Sequence, residues 1–216
     1  MLVSLLLAQL ALPDVLRSLG DEAEKREKAG ACDYREVTLV EELAEDGAVK
    51  GSEERVYDGT LTGIEVTRRE KKSVTAKGEP LADLLVEPKG AKGRKPARSP
   101  FHSAVRSQFK FALADGPTPE LKRVTLEPLK PDPERPRGEA WVRASDGRLE
   151  ELRVAPSKVP FLLSALSLRF VFSQTACGRM ATLIETEGRS DTVIVDTRFR
   201  TRTVLSGHAP AVARTR

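Results

Sequence analysis

The alternation of apolar and polar residues with a period of two is the feature that most constrains the fold of this chain. In residues 166–172, Leu, Leu, Phe and Phe alternate with Ser, Arg and Val. Successive side chains of a strand point to opposite faces, so this segment predicts a strand with one buried face. The same period, interrupted by turn sequences such as Asp46-Gly47, returns along most of the chain after residue 34. The chain is therefore predicted to be mainly β.

The spacing between the predicted strands indicates how they pair. No segment long enough to be a helical crossover separates them, which favours an antiparallel sheet. About ten strands are expected, and a sheet of that size must curl or close. One helix is predicted over residues 13–29, where apolar side chains recur every three or four positions and Pro13 suits the first turn. The expected fold class is α+β and mainly β, with the helix packed on the concave side of a strongly curved antiparallel sheet.

The 216 residues suit one domain, which we assign to residues 12–207. Within it, short strands are expected over residues 61–69 and 72–76. Residues 87–100 contain three Pro and two Gly and are predicted to form an exposed loop that could act as a mobile flap. Residues 208–216 are predicted to be a disordered tail.

The first eleven residues are apolar, uncharged and end in small side chains. This composition is typical of a secretory signal peptide, here without its usual basic start. Cleavage is expected after Ala8 or Ala11, and export would place the protein in the periplasm. The alternative is that residues 1–11 form the buried first turn of the following helix. No apolar segment of about 20 residues occurs, so no transmembrane helix is expected.

Basic residues slightly outnumber acidic ones, 36 Lys and Arg against 32 Asp and Glu, for a net charge of +4. Residues 89–110 carry seven bases and no acid, and five arginines but no acid follow Asp196. Nucleic-acid binding would need aromatic side chains on the same face, and no nucleic-acid motif is present. We predict no nucleic-acid partner and interpret these stretches as a solvated loop and a basic edge strand. Attraction to an anionic membrane surface is the alternative.

The chain offers little for metal or covalent chemistry. Cys32 and Cys177 lack the close spacing of a zinc or redox site. They could form a disulfide in an exported protein or remain two buried thiols, and the sequence leaves both open. His102 and His208 have no carboxylate or Cys at a suitable spacing and are predicted to be surface residues. We therefore predict no catalytic residues, no metal, no cofactor and no enzymatic activity.

Several short motifs together resemble one protein family. They are Tyr34-Arg35-Glu36, Arg55-Val56-Tyr57, Lys77-Gly78-Glu79-Pro80-Leu81, Gly138-Glu139-Ala140-Trp141-Val142, Asp146-Gly147-Arg148-Leu149 and Phe199-Arg200. In this order, after a helix, they resemble the periplasmic lipoprotein-carrier superfamily (LolA, LolB and RseB-like proteins), especially its outer-membrane lipoprotein-sorting relatives. The resemblance covers residues 33–207. One departure is Arg143, since relatives often have Asp there.

The resemblance implies a half-barrel of antiparallel strands with a helical lid over a cavity that holds acyl chains. The side chains predicted to line such a cavity are apolar residues of the alternating strands. They are Phe109, Phe111, Val124, Leu126, Leu168, Phe170 and Phe172. These residues could equally fill a core without a ligand.

Two functions remain open at the level of sequence. The first is a binding protein for an acyl chain, a lipid or a lipoprotein. The second is an envelope scaffold or sensor that binds a protein partner through an edge strand or the basic loop and holds no lipid.

Overall fold

A computed structural model describes residues 10–85, 98–160, 163–191 and 196–211. The described chain has one long helix, one short helix, one 3-10 turn and ten strands. In order they are α1 (Leu12–Glu27), β1 (Cys32–Leu43), β2 (Val49–Thr62), β3 (Glu65–Gly78), the 3-10 turn (Asp83–Leu85), α2 (Ser103–Arg106), β4 (Phe109–Asp115), β5 (Leu121–Pro128), β6 (Pro136–Arg143), β7 (Leu149–Pro156), β8 (Ala165–Thr175), β9 (Gly178–Asp191) and β10 (Asp196–Pro210).

All ten strands belong to one antiparallel sheet that stays open. Their order is β3-β2-β1-β10-β9-β8-β7-β6-β5-β4. The predicted fold class is therefore confirmed: a mainly β, α+β half-barrel of ten antiparallel strands with one N-terminal helix packed against it. No helix among the described residues is both long and apolar enough to cross a membrane.

The first and last strands of the sheet-forming chain pair with each other. Residues from Cys32 to Leu43 lie opposite residues from Pro210 back to Arg198. This pairing places β3 and β4, which are consecutive in sequence, at opposite edges of the sheet. The connection between them must therefore cross the sheet rather than turn back as a hairpin.

The strand boundaries differ from those expected in three places. The turn between β2 and β3 falls at Gly63, so residues 61–69 span a turn rather than a single strand, and residues 72–76 belong to β3 rather than to a separate strand. Gly63 has φ +60°, and a Cβ there would lie 2.6 Å from the carbonyl oxygen of Glu27, so only glycine fits this turn. At the other end, β10 continues to Pro210, so residues 208–210 are part of the sheet and not of a disordered tail.

Several predicted segments fall wholly or partly outside the described residues. They are positions 1–9 of the predicted signal peptide, positions 87–97 of the predicted flap and positions 212–216 of the predicted tail. The domain boundary at residue 12 therefore stays a prediction, whereas the sheet extends beyond residue 207 to Pro210.

Helix α1 packs on one face of the sheet. Its buried side is narrow and consists of Val15, Leu19, Gly20 and Ala23. Val15 and Leu19 join a core cluster with apolar residues from β5 to β8. Burying two aliphatic side chains of this size contributes roughly 1.5–3 kcal/mol each.

A short segment, residues 98–106, runs along the other side of α1; we call it the strap. Its Phe101 is buried in the same core cluster, and its carbonyl oxygen lies close to Gly20 of the helix. Polar contacts fix both ends of the strap to α1. The side chain of Arg98 donates to Glu27 at 2.8 Å, and that of Arg106 donates to the carbonyl oxygen of Leu16 at 3.0 Å.

A disulfide joins the start of β1 to the turn between β8 and β9. The Cα atoms of Cys32 and Cys177 are 6.1 Å apart, and 145 positions separate them in sequence. Since β10 and β9 lie between β1 and β8 in the sheet, this bond holds the tip of the β8–β9 hairpin over the neighbouring strands.

Breaking this bond is expected to destabilise the protein. Closing so long a loop contributes about 4–5 kcal/mol in the chain-entropy model. Replacing Cys32 and Cys177 together with Ser should lower the free energy of unfolding by that order, measured by urea titration. The unfolded, unreduced wild type should expose no thiol to a labelling reagent. Two reactive thiols per chain would show that the bond does not form.

Candidate functional site

The two faces of the sheet have different chemistry. We call the face that contacts α1 the apolar face and the opposite one the polar face. The side chains of cross-strand partners point to the same face of the sheet, so the pairing register shows on which face each side chain lies. For example, Leu126, Gly138, Val154 and Leu168 are successive partners from β5 to β8, and all lie on the apolar face.

The seven residues predicted to line an acyl cavity all lie together on the apolar face, within or against one core cluster. Val124 and Leu126 are almost fully buried, at 0% and 1% exposed, and Phe172 is also buried. Phe109, Phe111, Leu168 and Phe170 are only partly buried at the margin of that cluster. The structure thus brings the predicted set together, with its centre filled and its margin partly open. Whether an acyl chain binds there stays a prediction.

The apolar face becomes polar toward β10, β1 and β2. Thr38 and Thr203 share a hydrogen bond of 2.9 Å, and Thr38 also donates to Glu36, which is only 2% exposed. Farther along the same face, Arg55 donates to Glu53 at 2.8 Å. Polar pairs thus interrupt the apolar face toward β10, β1 and β2, where Val40, Tyr57 and Phe199 are also buried.

Ion pairs form a ladder across the polar face. Arg169 donates to Glu151 and to Glu185, each at 2.8 Å. Glu151 also accepts from Arg153 at 2.5 Å, and the guanidinium of Arg153 lies 4.7 Å from the ring centre of Trp141. The hydrogen bond from Arg169 holds the pKa of Glu151 below its ordinary value, against the opposing effect of burial. The sequence patterns did not predict this ladder, although Arg169 alternates with the predicted core residues Leu168 and Phe170.

The structure contains a groove of about 750 Å³ that crosses β5 to β9. Each of strands β5 to β8 contributes two residues of the polar face and the apolar-face residue between them to the groove lining. The groove therefore opens on the polar face. Its lining residues are Thr125, Leu126, Glu127, Arg137, Gly138, Glu139, Arg153, Val154, Ala155, Ser167, Leu168, Arg169, Glu185 and Glu187. Only two of the seven predicted cavity residues, Leu126 and Leu168, are among them.

Gly138 in the floor of this groove cannot be replaced without strain. Its φ is +152°, and a Cβ there would lie 2.1 Å from the carbonyl oxygen of Arg153. Glycine is thus required for the close approach of β6 and β7 beneath the groove.

Both histidines, predicted to be surface residues, are partly buried and make structural contacts. His102 caps α2 by accepting the backbone N–H of Ala104 at Nδ1, and its Nε2 lies 2.6 Å from Glu27. His208 stacks on Tyr34 with ring centres 6.0 Å apart, and burial lowers the pKa of His208. In the described part of the chain, no group of three or more His, Cys, Asp or Glu side chains could hold a metal ion.

Comparison with known proteins gives likenesses at the level of structure. No protein-family model and no curated protein matches the sequence. Similar solved structures include a LolA superfamily protein from Nitrosomonas europaea, with 8% identity over 95% of this chain and 96% of that one and a TM-score of 0.42. A DUF1329 family protein from Desulfovibrio piger has 12% identity over 94% and 95% of the two chains and a TM-score of 0.41.

A third similar structure is the Pseudomonas aeruginosa MucA/MucB complex, with 10% identity over 93% of this chain and 100% of that one and a TM-score of 0.27. These matches agree with the superfamily that the sequence motifs resemble. At such identities the likeness concerns the fold alone.

The lowered pKa of Glu151 predicts a pH dependence of stability. A carboxyl group whose pKa is lower in the folded state stabilises the fold above its unfolded pKa, and this contribution is lost as pH falls through the folded pKa. Glu151→Gln should therefore be less stable than the wild type at neutral pH and lose less stability on acidification, as followed by thermal melting. Parallel losses for both proteins from pH 7 to about pH 3 would contradict this role for Glu151.

Proposed function

We propose that the protein is a non-enzymatic binding protein that holds an acyl chain of a lipid or lipoprotein against the apolar face, with α1 as its cover. The observation that carries the proposal is that the apolar face is wider than the helix that covers it. Four residues of α1 are buried, whereas four of the predicted lining residues keep part of their surface exposed beyond it.

The contacts on the outer side of α1 are of a kind that can open. Glu27 accepts from Arg98, whose side chain is 47% exposed, and Glu24 accepts from Ser103 at 2.5 Å in an exposed position. Exposed ion pairs of this type contribute about 0–1 kcal/mol each. These two exposed contacts therefore cost little to break, whereas the buried Phe101 and the hydrogen bond from Arg106 to Leu16 hold the strap more firmly.

An acyl chain supplies free energy of the same order as the main apolar contacts of α1. Each buried CH₂ contributes about 0.8 kcal/mol, so a long chain can offset the contacts of Val15 and Leu19. The chain would first contact Leu168 and Phe170 at the open margin, and would then take the place of α1 over Leu126.

The proposed compartment is the periplasm. The signal-like composition of residues 1–11 favours export. The disulfide between Cys32 and Cys177 supports the same proposal, since such bonds persist in oxidising compartments.

The second candidate is a scaffold or sensor that binds a protein partner without lipid. It is favoured by the two outer strands, β3 and β4, each of which pairs on only one side among the described strands. A free edge of this kind can accept an added strand from a partner. Mass spectrometry of lipid that co-purifies with the native protein separates the two candidates, because only the first requires it.

Adjacent residues on opposite faces provide a matched test of acyl binding. Leu168 lies on the apolar face and Ser167 on the polar face. Leu168→Trp should weaken binding of a fluorescent long-chain fatty acid by about tenfold or more, because the larger ring occupies the space of the chain. Ser167→Trp should leave that binding unchanged. Both variants should melt within a few degrees of the wild type.

A filled core without a ligand would give a different result. If the apolar face is a filled core, Leu168→Trp overpacks it and costs roughly 1–3 kcal/mol of stability. A wild-type protein that binds no fatty acid, together with a strongly destabilised Leu168→Trp variant, would contradict the proposal.

A further inference from the structure

The groove on the polar face lies on the side of the sheet opposite to the proposed acyl site, and nothing in that function uses it. It exists because two small side chains, Ala155 and Ser167, interrupt a surface of long charged ones. Arg137 is the cross-strand partner of Ala155, and Glu187 is the partner of Ser167. From β6 to β9 this row thus begins with a cation and ends with an anion, and the exposed Glu127 of β5 lies beyond Arg137 in the same lining.

One wall of the groove is held in place before any ligand arrives. Arg169 is fixed between Glu151 and Glu185, and Arg153 is fixed between Glu151 and the ring of Trp141. These side chains therefore cannot fold over the small residues of the floor. A pre-formed groove binds a ligand without the entropic cost of ordering the side chains of its walls.

The two end charges are available to a ligand. Arg137 is exposed and forms no ion pair within the described part of the chain. Glu187 is exposed and faces Arg200, but the guanidinium of Arg200 is hydrogen-bonded to Glu41 at 2.8 Å. Neither end charge is therefore tied to a partner of its own by a hydrogen bond.

The spacing of the end charges defines the ligand. Arg137 on β6 and Glu187 on β9 are three strand spacings apart, which is about 14 Å between their backbones. An extended polypeptide advances about 3.4 Å per residue, so the same span corresponds to roughly four residues. A phospholipid headgroup carries its opposite charges on neighbouring groups and cannot reach both ends.

We propose that this groove binds an extended polypeptide segment with an acidic side chain at Arg137 and a basic side chain four residues away at Glu187. The peptide lies across the strands, over Ala155 and Ser167. Its backbone gains no sheet pairing in this orientation, so the end charges and the aliphatic parts of the walls provide the recognition. The interaction is therefore sensitive to salt.

The test uses four synthetic peptides of Ser, Thr and Val that differ only at two positions four residues apart. These positions carry Glu and Lys, Lys and Lys, Glu and Glu, or Gln and Gln. Binding is measured by fluorescence anisotropy with an uncharged dye. The wild type should bind the Glu/Lys peptide most tightly, with about a fivefold loss for each mismatched end.

Charge variants should change this preference in a defined way. Arg137→Glu should prefer the Lys/Lys peptide, and Glu187→Lys should prefer the Glu/Glu peptide. Lys25→Glu makes the same charge change on the exposed side of α1 and should keep the wild-type order. Ser167→Trp fills the floor and should lose binding to all four peptides, whereas Phe170→Trp, on the apolar face and outside the groove lining, should retain it.

Three results would overturn the proposal. The first is a wild type that binds the Glu/Lys peptide no more tightly than the Gln/Gln peptide. The second is an effect of Lys25→Glu equal to that of Arg137→Glu. The third is binding to phosphatidylcholine or phosphatidylglycerol vesicles that depends on Arg137 while no peptide binds. Because Ser167→Trp changes the groove and Phe170→Trp changes the apolar face, failure of peptide binding is distinguishable from failure of acyl binding.

Discussion

Burial of one apolar sheet face by a single narrow helix is the interaction on which the rest of the structure depends. Val15 and Leu19 are the main apolar side chains that α1 buries in the core cluster. A flat sheet of ten strands would expose far more apolar surface than they could cover, so curvature and Phe101 of the strap must cover part of the remainder. Because α1 and the strap do not cover the whole apolar face, some of its residues stay partly exposed: Phe109, Phe111, Leu168 and Phe170. This exposed apolar surface is the physical basis of the proposed acyl site.

The pairing of β1 with β10 organises the remaining features. It moves β3 and β4 to opposite edges, so the chain between them has to cross the sheet, and the strap is the described part of that crossing. The disulfide between Cys32 and Cys177 then connects β1 to the β8–β9 turn over two intervening strands. The crossing connection is thus a consequence of this non-local pairing, and the disulfide adds a second non-local contact to β1.

Local patterns in the sequence predicted most of the elements and the face occupied by the residues that were expected to line the cavity. The period of two in residues 166–172 correctly placed Leu168 and Phe170 on the apolar face with the other predicted residues. Non-local pairing was out of reach, because no local pattern shows that β10 lies beside β1. The groove was missed for the same reason: Arg137, Ala155, Ser167 and Glu187 come from four strands, and only the register brings them into one row.

The central claim is that α1 is a removable cover over an acyl-binding face. Hydrogen–deuterium exchange of the protein with and without a saturating long-chain fatty acid tests it most directly. The account predicts faster exchange in α1 and the strap when the fatty acid is bound, with β1 and β10 unchanged, because the acyl chain replaces Val15 and Leu19 over Leu126. Unchanged or slower exchange in α1 at saturation would contradict it.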